Sequence, residues 1–170
     1  MRRFVASLIV TVAVILAAPT AAYAQAGPPQ KVEFMGAAQS PISSGVAVPA
    51  GAAWFWTSGT VPTPADPNAA AGSRERYGDT KTQAISALKA VEARLKERGL
   101  GLKDVIFIRA FLVTDKEKGS VDFAGWNEAY GMFFNNATNP TKVARSTLAV
   151  AGLVSPEWLI EIEAVAVYPK

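Results

Sequence analysis

Short apolar runs alternate with Gly- and Pro-rich breaks along this chain, and the spacing of the runs predicts its elements. Extended runs at 31–34, 45–48 and 53–58 are the first three strands. Residues 60–79 hold Pro62, Pro64, Pro67, Gly72 and Gly78 and show no helical or strand period, so they read as a long loop of the functional or mobile kind. Thr80 with Gln83 reads as a capping box, and Ile85, Leu88, Val91 and Leu95 form the apolar stripe of a helix ending near Gly99. Residues 104–114 read as a strand apolar on both faces apart from Arg109. A second helix starts near Ser120 with the stripe Phe123, Trp126, Asn127, Tyr130, Phe133 and Phe134. Two further strands occupy 143–167, joined by a turn near Ser155.

The order β-β-β-α-β-α-β-β has too few helices for a doubly wound sheet. It predicts an α+β fold: a mixed sheet with two helices on one face. Because the strands are apolar on both sides, the second face also needs a cover, and a second subunit is the natural one. The run Trp54-Phe55-Trp56 suits a buried central strand or one packed at an interface.

Composition narrows the chemistry. The N-terminus runs from Arg2 and Arg3 through an apolar stretch to Ala22-Tyr23-Ala24, the pattern of a secretory signal peptide cleaved after Ala24. This divides the chain into a signal peptide at 1–24, a flexible lead at 25–35 and one domain at 36–170, with export to a bacterial periplasm and no stable membrane association after cleavage. The chain has 17 basic and 14 acidic residues, so losing Arg2 and Arg3 leaves a net charge of +1 and no basic stripe for nucleic acid. With no cysteine and no histidine, thiol chemistry, disulfides, Ser-His pairs and histidine metal sites are excluded. Acid-base work would fall to carboxylates, Lys, Tyr, water or backbone groups.

Two charged residues inside the last apolar strands are the leading candidates, Arg145 and Glu161. Alternation places Arg145 and Thr147 on one face of their strand, and Glu161 and Glu163 together on one face of theirs, opposite Ile160, Ile162 and Ala164. A hairpin turning near Ser155 would set Arg145 opposite about Val165, leaving Glu161 about 13 Å away along the strand. An in-register Arg–Glu pair is therefore not implied. Arg145 is either one arm of an exposed or intersubunit salt bridge or a bidentate grip on a planar carboxylate. For Glu161 and Glu163 a solvated sheet face is the stronger reading, since an alternating E-x-E is common there. Asn127, inside an aromatic stripe, reads as a buried amide, and Ser58-Gly59 as a strand-end turn that permits close backbone approach.

Several segments, in this order and spacing, resemble the RidA/YjgF family of enamine/imine deaminases. They are 56–62 (WTSGTVP), Gly78-Asp79 with Gln83, Asp104-Val105 with Phe111-Leu112, Asp122-Phe123 with 127–130 (NEAY), Ala144-Arg145-Ser146, and 160–164 (IEIEA). The resemblance covers nearly everything after Gly36. It implies a chorismate-mutase-like fold, a homotrimer with clefts between subunits, a small-molecule carboxylate substrate, and neither cofactor nor metal. It further implies that Arg145 holds the carboxylate of a 2-imino or 2-enamino acid such as 2-aminoacrylate while Glu161 positions the attacking water. Ser58, Gly59, Thr147 and Asn127 then line the substrate cleft. A non-catalytic trimer binding a carboxylate metabolite in that cleft is the alternative. The chain departs from the family at Ile42, where deaminases carry tyrosine, and at Thr147, where many carry cysteine.

Overall fold

The computed structural model describes residues 27–169; the expected signal peptide lies outside them. Three strands come first, β1 (Glu33–Met35), β2 (Gly45–Ala47) and β3 (Trp54–Trp56). They are followed by α1 (Arg74–Tyr77), α2 (Thr80–Lys96), β4 (Val105–Leu112), β5 (Thr114–Asp115), β6 (Ser120–Val121), α3 (Phe123–Phe133), β7 (Ala144–Ala149) and β8 (Ile160–Val167). The main sheet has the order β3-β8-β4-β7, with β7 parallel to β4 and the other pairs antiparallel. This is the expected α+β layout, a mixed sheet with α2 and α3 on one face.

The register sorts side chains between the faces. Ile108, Ala110 and Leu112 of β4 and Ile160, Ile162, Ala164 and Ala166 of β8 pack against Leu88, Val91 and Leu95 of α2 and Trp126, Ala129 and Tyr130 of α3. On the other face, the β1–β2 ribbon accompanies a smaller cluster of Ile106, Val165 and Val167. An irregularity between Val105 and Phe107 breaks the alternation: Ile106 and Phe107 both serve the small cluster, while Val105 and Ile108 belong to the large one. β1 falls within the segment assigned to the lead.

Some expectations need correction. β7 and β8 do not form a hairpin, because β4 lies between them. Parallel pairing of β7 with β4 needs a crossover, which α3 supplies, and the 150–159 connection spans the strand between. β3 is an edge strand, not a central one; Trp54 and Trp56 are 47% and 65% exposed on the face away from the helices. The cap of α2 is Asp79, whose carboxylate accepts from Thr82 N at 2.8 Å. Thr80 is the first helical residue, and Gln83 serves elsewhere: its amide donates to the carbonyls of Gly78 and Glu157 and accepts from Leu159 N.

The long loop holds one helical turn, α1, too short to leave a period. It is tethered by Gly72 N to the Glu157 carboxylate and by a two-pronged bond of Arg74 to buried Asp115. In α3, Asp122 caps the first turn through Gly125 N. The buried face is Gly125, Trp126, Ala129 and Tyr130, while Phe123 and Asn127 at the stripe's margin are exposed. Small residues at Gly125 and Ala129 set that choice, since a Cβ on Gly125 would meet the Lys81 backbone of α2 at 3.3 Å.

Candidate active site

Arg145 sits on β7, the edge strand under α3, and pairs in register with Ile108 of β4. Its guanidinium carbon lies 4.5 Å from the Tyr130 ring centre and 5.5 Å from that of Trp126. Trp126 and Tyr130 are one helical turn apart, so both rings face β7 from one side of α3. One Nη donates to the Asn127 side-chain oxygen at 2.7 Å. Among the described residues Arg145 makes no ion pair, whereas Arg74 and Arg109 each hold a carboxylate. Burial pushes the Arg145 pKa down, against the pull of Tyr130; burial also pushes the Tyr130 hydroxyl up, with Arg145 opposing it. The salt-bridge reading of Arg145 therefore fails within one chain. The cation rests on aromatic faces, bonded to Asn127 and without a carboxylate partner among the described residues.

Asn127 is the exposed partner of that arginine, not a buried amide. Thr147, two residues beyond Arg145 on the same face, accepts from the Trp126 indole N–H at 3.1 Å. Ile42 lies next to Ser43, whose backbone bridges to Ala144 at the start of β7. Trp126 and Tyr130 are the residues that sequence reasoning left in the core. Their signal was available in the i, i+4 aromatic pair that brackets Asn127.

Glu161 belongs to a second cluster. In β8 it pairs with Phe111, an odd number of residues from Ile108, so it projects from the face opposite Arg145. Its carboxylate lies over Gly59: a Cβ there would stand 1.7 Å from Glu161 Oε1. Gly59 serves by leaving space and not by a positive φ. Thr60 pairs with Ile162 through two backbone bonds of 2.8 and 2.9 Å, which seats the Ser58-Gly59 turn beside Glu161. Neighbouring Glu163 is occupied by Arg109 at 3.0 Å, and Glu161 makes no ion pair among the described residues. The six expected site residues thus form two groups, Arg145-Thr147-Asn127 and Ser58-Gly59-Glu161, with Arg145 and Glu161 on opposite faces of the sheet and β4 between their strands.

The model of the family described as Endoribonuclease L-PSP matches residues 33–168. The chain belongs to this family, which is the RidA/YjgF family. A RutC family protein of Synechocystis is 39% identical over 92 residues, 54% of this chain and 64% of that protein. A second RutC family protein, from Pyrococcus abyssi, is 35% identical over 89 residues, 52% of this chain and 62% of that protein. The matched stretch thus spans a little under two thirds of either relative. Among solved structures, a Rid family protein from Yersinia pestis shares the fold with a TM-score of 0.62 at 22% identity, covering 81% of this chain and 99% of that one. E. coli TdcF, solved with bound serine, is 31% identical with a TM-score of 0.54, covering 83% of this chain and all of that one.

Proposed function

We propose that this protein is a hydrolytic deaminase of reactive 2-imino and 2-enamino acids, acting as an exported homotrimer. The observation that carries the reading is Arg145, a half-buried cation seated on Trp126 and Tyr130 with no carboxylate partner among the described residues. A cation taken from water without a counter-ion costs free energy, and an anionic ligand offsets that cost. Its planar fork suits the carboxylate of an amino-acid-like molecule. The bound serine of TdcF is a ligand of that class in a relative.

In this reading the carboxylate of the imine lies on Arg145. Water adds across the C=N bond to give a carbinolamine; ammonia leaves with the nitrogen, and the 2-oxo acid remains. Glu161 orients the water and takes its proton, which the departing nitrogen receives. Such substrates already react in water, so orientation is the main contribution. Because Arg145 and Glu161 occupy opposite faces, the complete site combines the arginine cluster of one copy with the glutamate cluster of another. The exposed Trp54 and Trp56 are the material for that contact.

The test is ammonia release from a fresh 2-imino acid made by an amino acid oxidase. The purified protein should accelerate it and Arg145→Ala should not; no acceleration at stoichiometric protein overturns the reading. Arg145-dependent ligand binding without turnover would instead favour the metabolite-binding trimer.

A further inference from the structure

One hydrogen bond beside Arg145 has no role in the scheme above. Trp126 is fully buried, and its indole N–H is satisfied by Thr147 Oγ1 at 3.1 Å. An indole nitrogen only donates, so the threonine oxygen is the acceptor and one of its lone pairs is taken. Among the described residues no acceptor takes the Thr147 hydroxyl proton. Thr147 is half-buried on the edge strand β7, so its hydroxyl proton is available to a ligand beside Arg145.

The same indole also flanks the guanidinium. Arg145 and Thr147 share a face of β7, with Cα atoms about 6.8 Å apart. Arg145 folds over the Trp126 ring to 5.5 Å, while Thr147 touches that ring's nitrogen. Trp126 therefore fixes two donors relative to each other, a charged fork and a hydroxyl. A ligand that answers both carries a carboxylate and, on the adjacent carbon, an oxygen with lone pairs. A protonated imine nitrogen has only protons to offer and cannot accept from Thr147. A 2-oxo group, or the hydroxyl of the carbinolamine, can.

We infer that Trp126 is a positioning residue that commits the Thr147 hydroxyl to donate toward the oxygen at C2, so that the site discriminates 2-oxo acids from plain carboxylates. The inference rests on Arg145 being the carboxylate clamp. It adds a direction to the reaction: the oxygen that Thr147 recognises is the one delivered by water, so the contact strengthens as the carbinolamine forms and persists in the product.

Titration calorimetry of the full protein with pyruvate and with propionate tests this, because the two differ only at C2. One hydrogen bond predicts that the wild type binds pyruvate about 3- to 10-fold more tightly. Thr147→Val, nearly isosteric, should bring that ratio close to one while propionate affinity holds, and Thr147→Ser should restore it. Trp126→Phe keeps a ring under Arg145 but removes the N–H, and should lower the ratio with propionate affinity retained. A ratio unchanged in Thr147→Val overturns the inference, and a ratio unchanged in a folded Trp126→Phe overturns the part assigned to Trp126. Should Trp126→Phe not fold, the valine and serine variants decide. Arg145→Ala separates the two readings. Propionate binding retained there, or absent from the wild type, overturns the clamp itself; loss of both ligands with an intact wild-type ratio supports both.

Discussion

Arg145 and Glu161 project from opposite faces of one sheet, two strands apart, and neither makes an ion pair among the described residues. Strand pairing alone imposes this, since Arg145 aligns with Ile108 and Glu161 with Phe111. No rotamer change brings them together within one chain. A site using both takes them from two copies.

Mixing variants tests that arrangement. Arg145→Ala and Glu161→Gln chains, each inactive alone, should regain activity when co-assembled, with roughly a quarter of sites holding both native residues in a random mixture of a cyclic oligomer. If one chain supplies both residues, the mixture stays inactive. Ammonia release before and after co-refolding is the measurement.

The exposed tryptophans of β3 supply a separate check on assembly. Trp56→Glu places a charge on the apolar face where Trp56 is 65% exposed and stacks 6.5 Å from Trp54. Light scattering should show a trimer for the wild type and smaller species for the variant. A wild-type monomer would rule out the shared site.

Gly59 offers a way to move Glu161 without changing it. In Gly59→Ala the new methyl occupies the position of the carboxylate, 1.7 Å from Oε1, so the side chain must swing away. The expected result is a kcat about 10- to 100-fold lower with thermal unfolding little altered, the signature of a misplaced group. Full activity in this variant would mean that Glu161 does not act from the place it occupies here.

Changing the clamp should separate charge from shape. Arg145→Lys keeps the cation but loses the planar fork, and kcat/KM for a 2-imino acid should fall about 10-fold or more. Equal kinetics for lysine and arginine would argue against two-pronged recognition.

The loop tether carries a pH signature. Burial pushes the Asp115 carboxyl up, but the grip of Arg74 and the Glu117 N–H outweigh it and hold the pKa below the ordinary range. A lowered folded pKa means stability present above the unfolded value of about 3.9 and lost as the pH falls through the folded one. Asp115→Asn should therefore cost about 2–3 kcal/mol at neutral pH, less than a fully enclosed pair because Arg74 is partly exposed. Urea unfolding should show the gap to wild type closing below about pH 4. A gap constant from pH 7 to 3 would mean that Asp115 contributes without its charge.

Much of this was legible without coordinates. Side-chain alternation in the last two strands placed Arg145 and Thr147 together and set Glu161 and Glu163 opposite Ile160, Ile162 and Ala164, because a strand's period of two is local. The periods of 3.6 and the turn residues likewise located the two long helices, to within a few residues. Short features escaped: α1 is one turn, and the cap of α2 moved from Thr80 to Asp79 because either residue satisfies the same preference.

What the tertiary structure alone decided is which strand lies beside which. Insertion of β4 between β7 and β8 replaced the expected hairpin and put the candidate clamp and the candidate carboxylate on opposite faces. It also gave the core residues Trp126 and Tyr130 a second role as the seat of Arg145, and turned Asn127 outward to meet it. Pairing between strands distant in sequence depends on burial summed over the whole sheet, a quantity that no single run of residues carries. The sequence by itself therefore determined the family, the chemistry available to a chain without histidine or cysteine, and the two residues to examine. The fold decided that those two residues meet, if they meet, only across two copies.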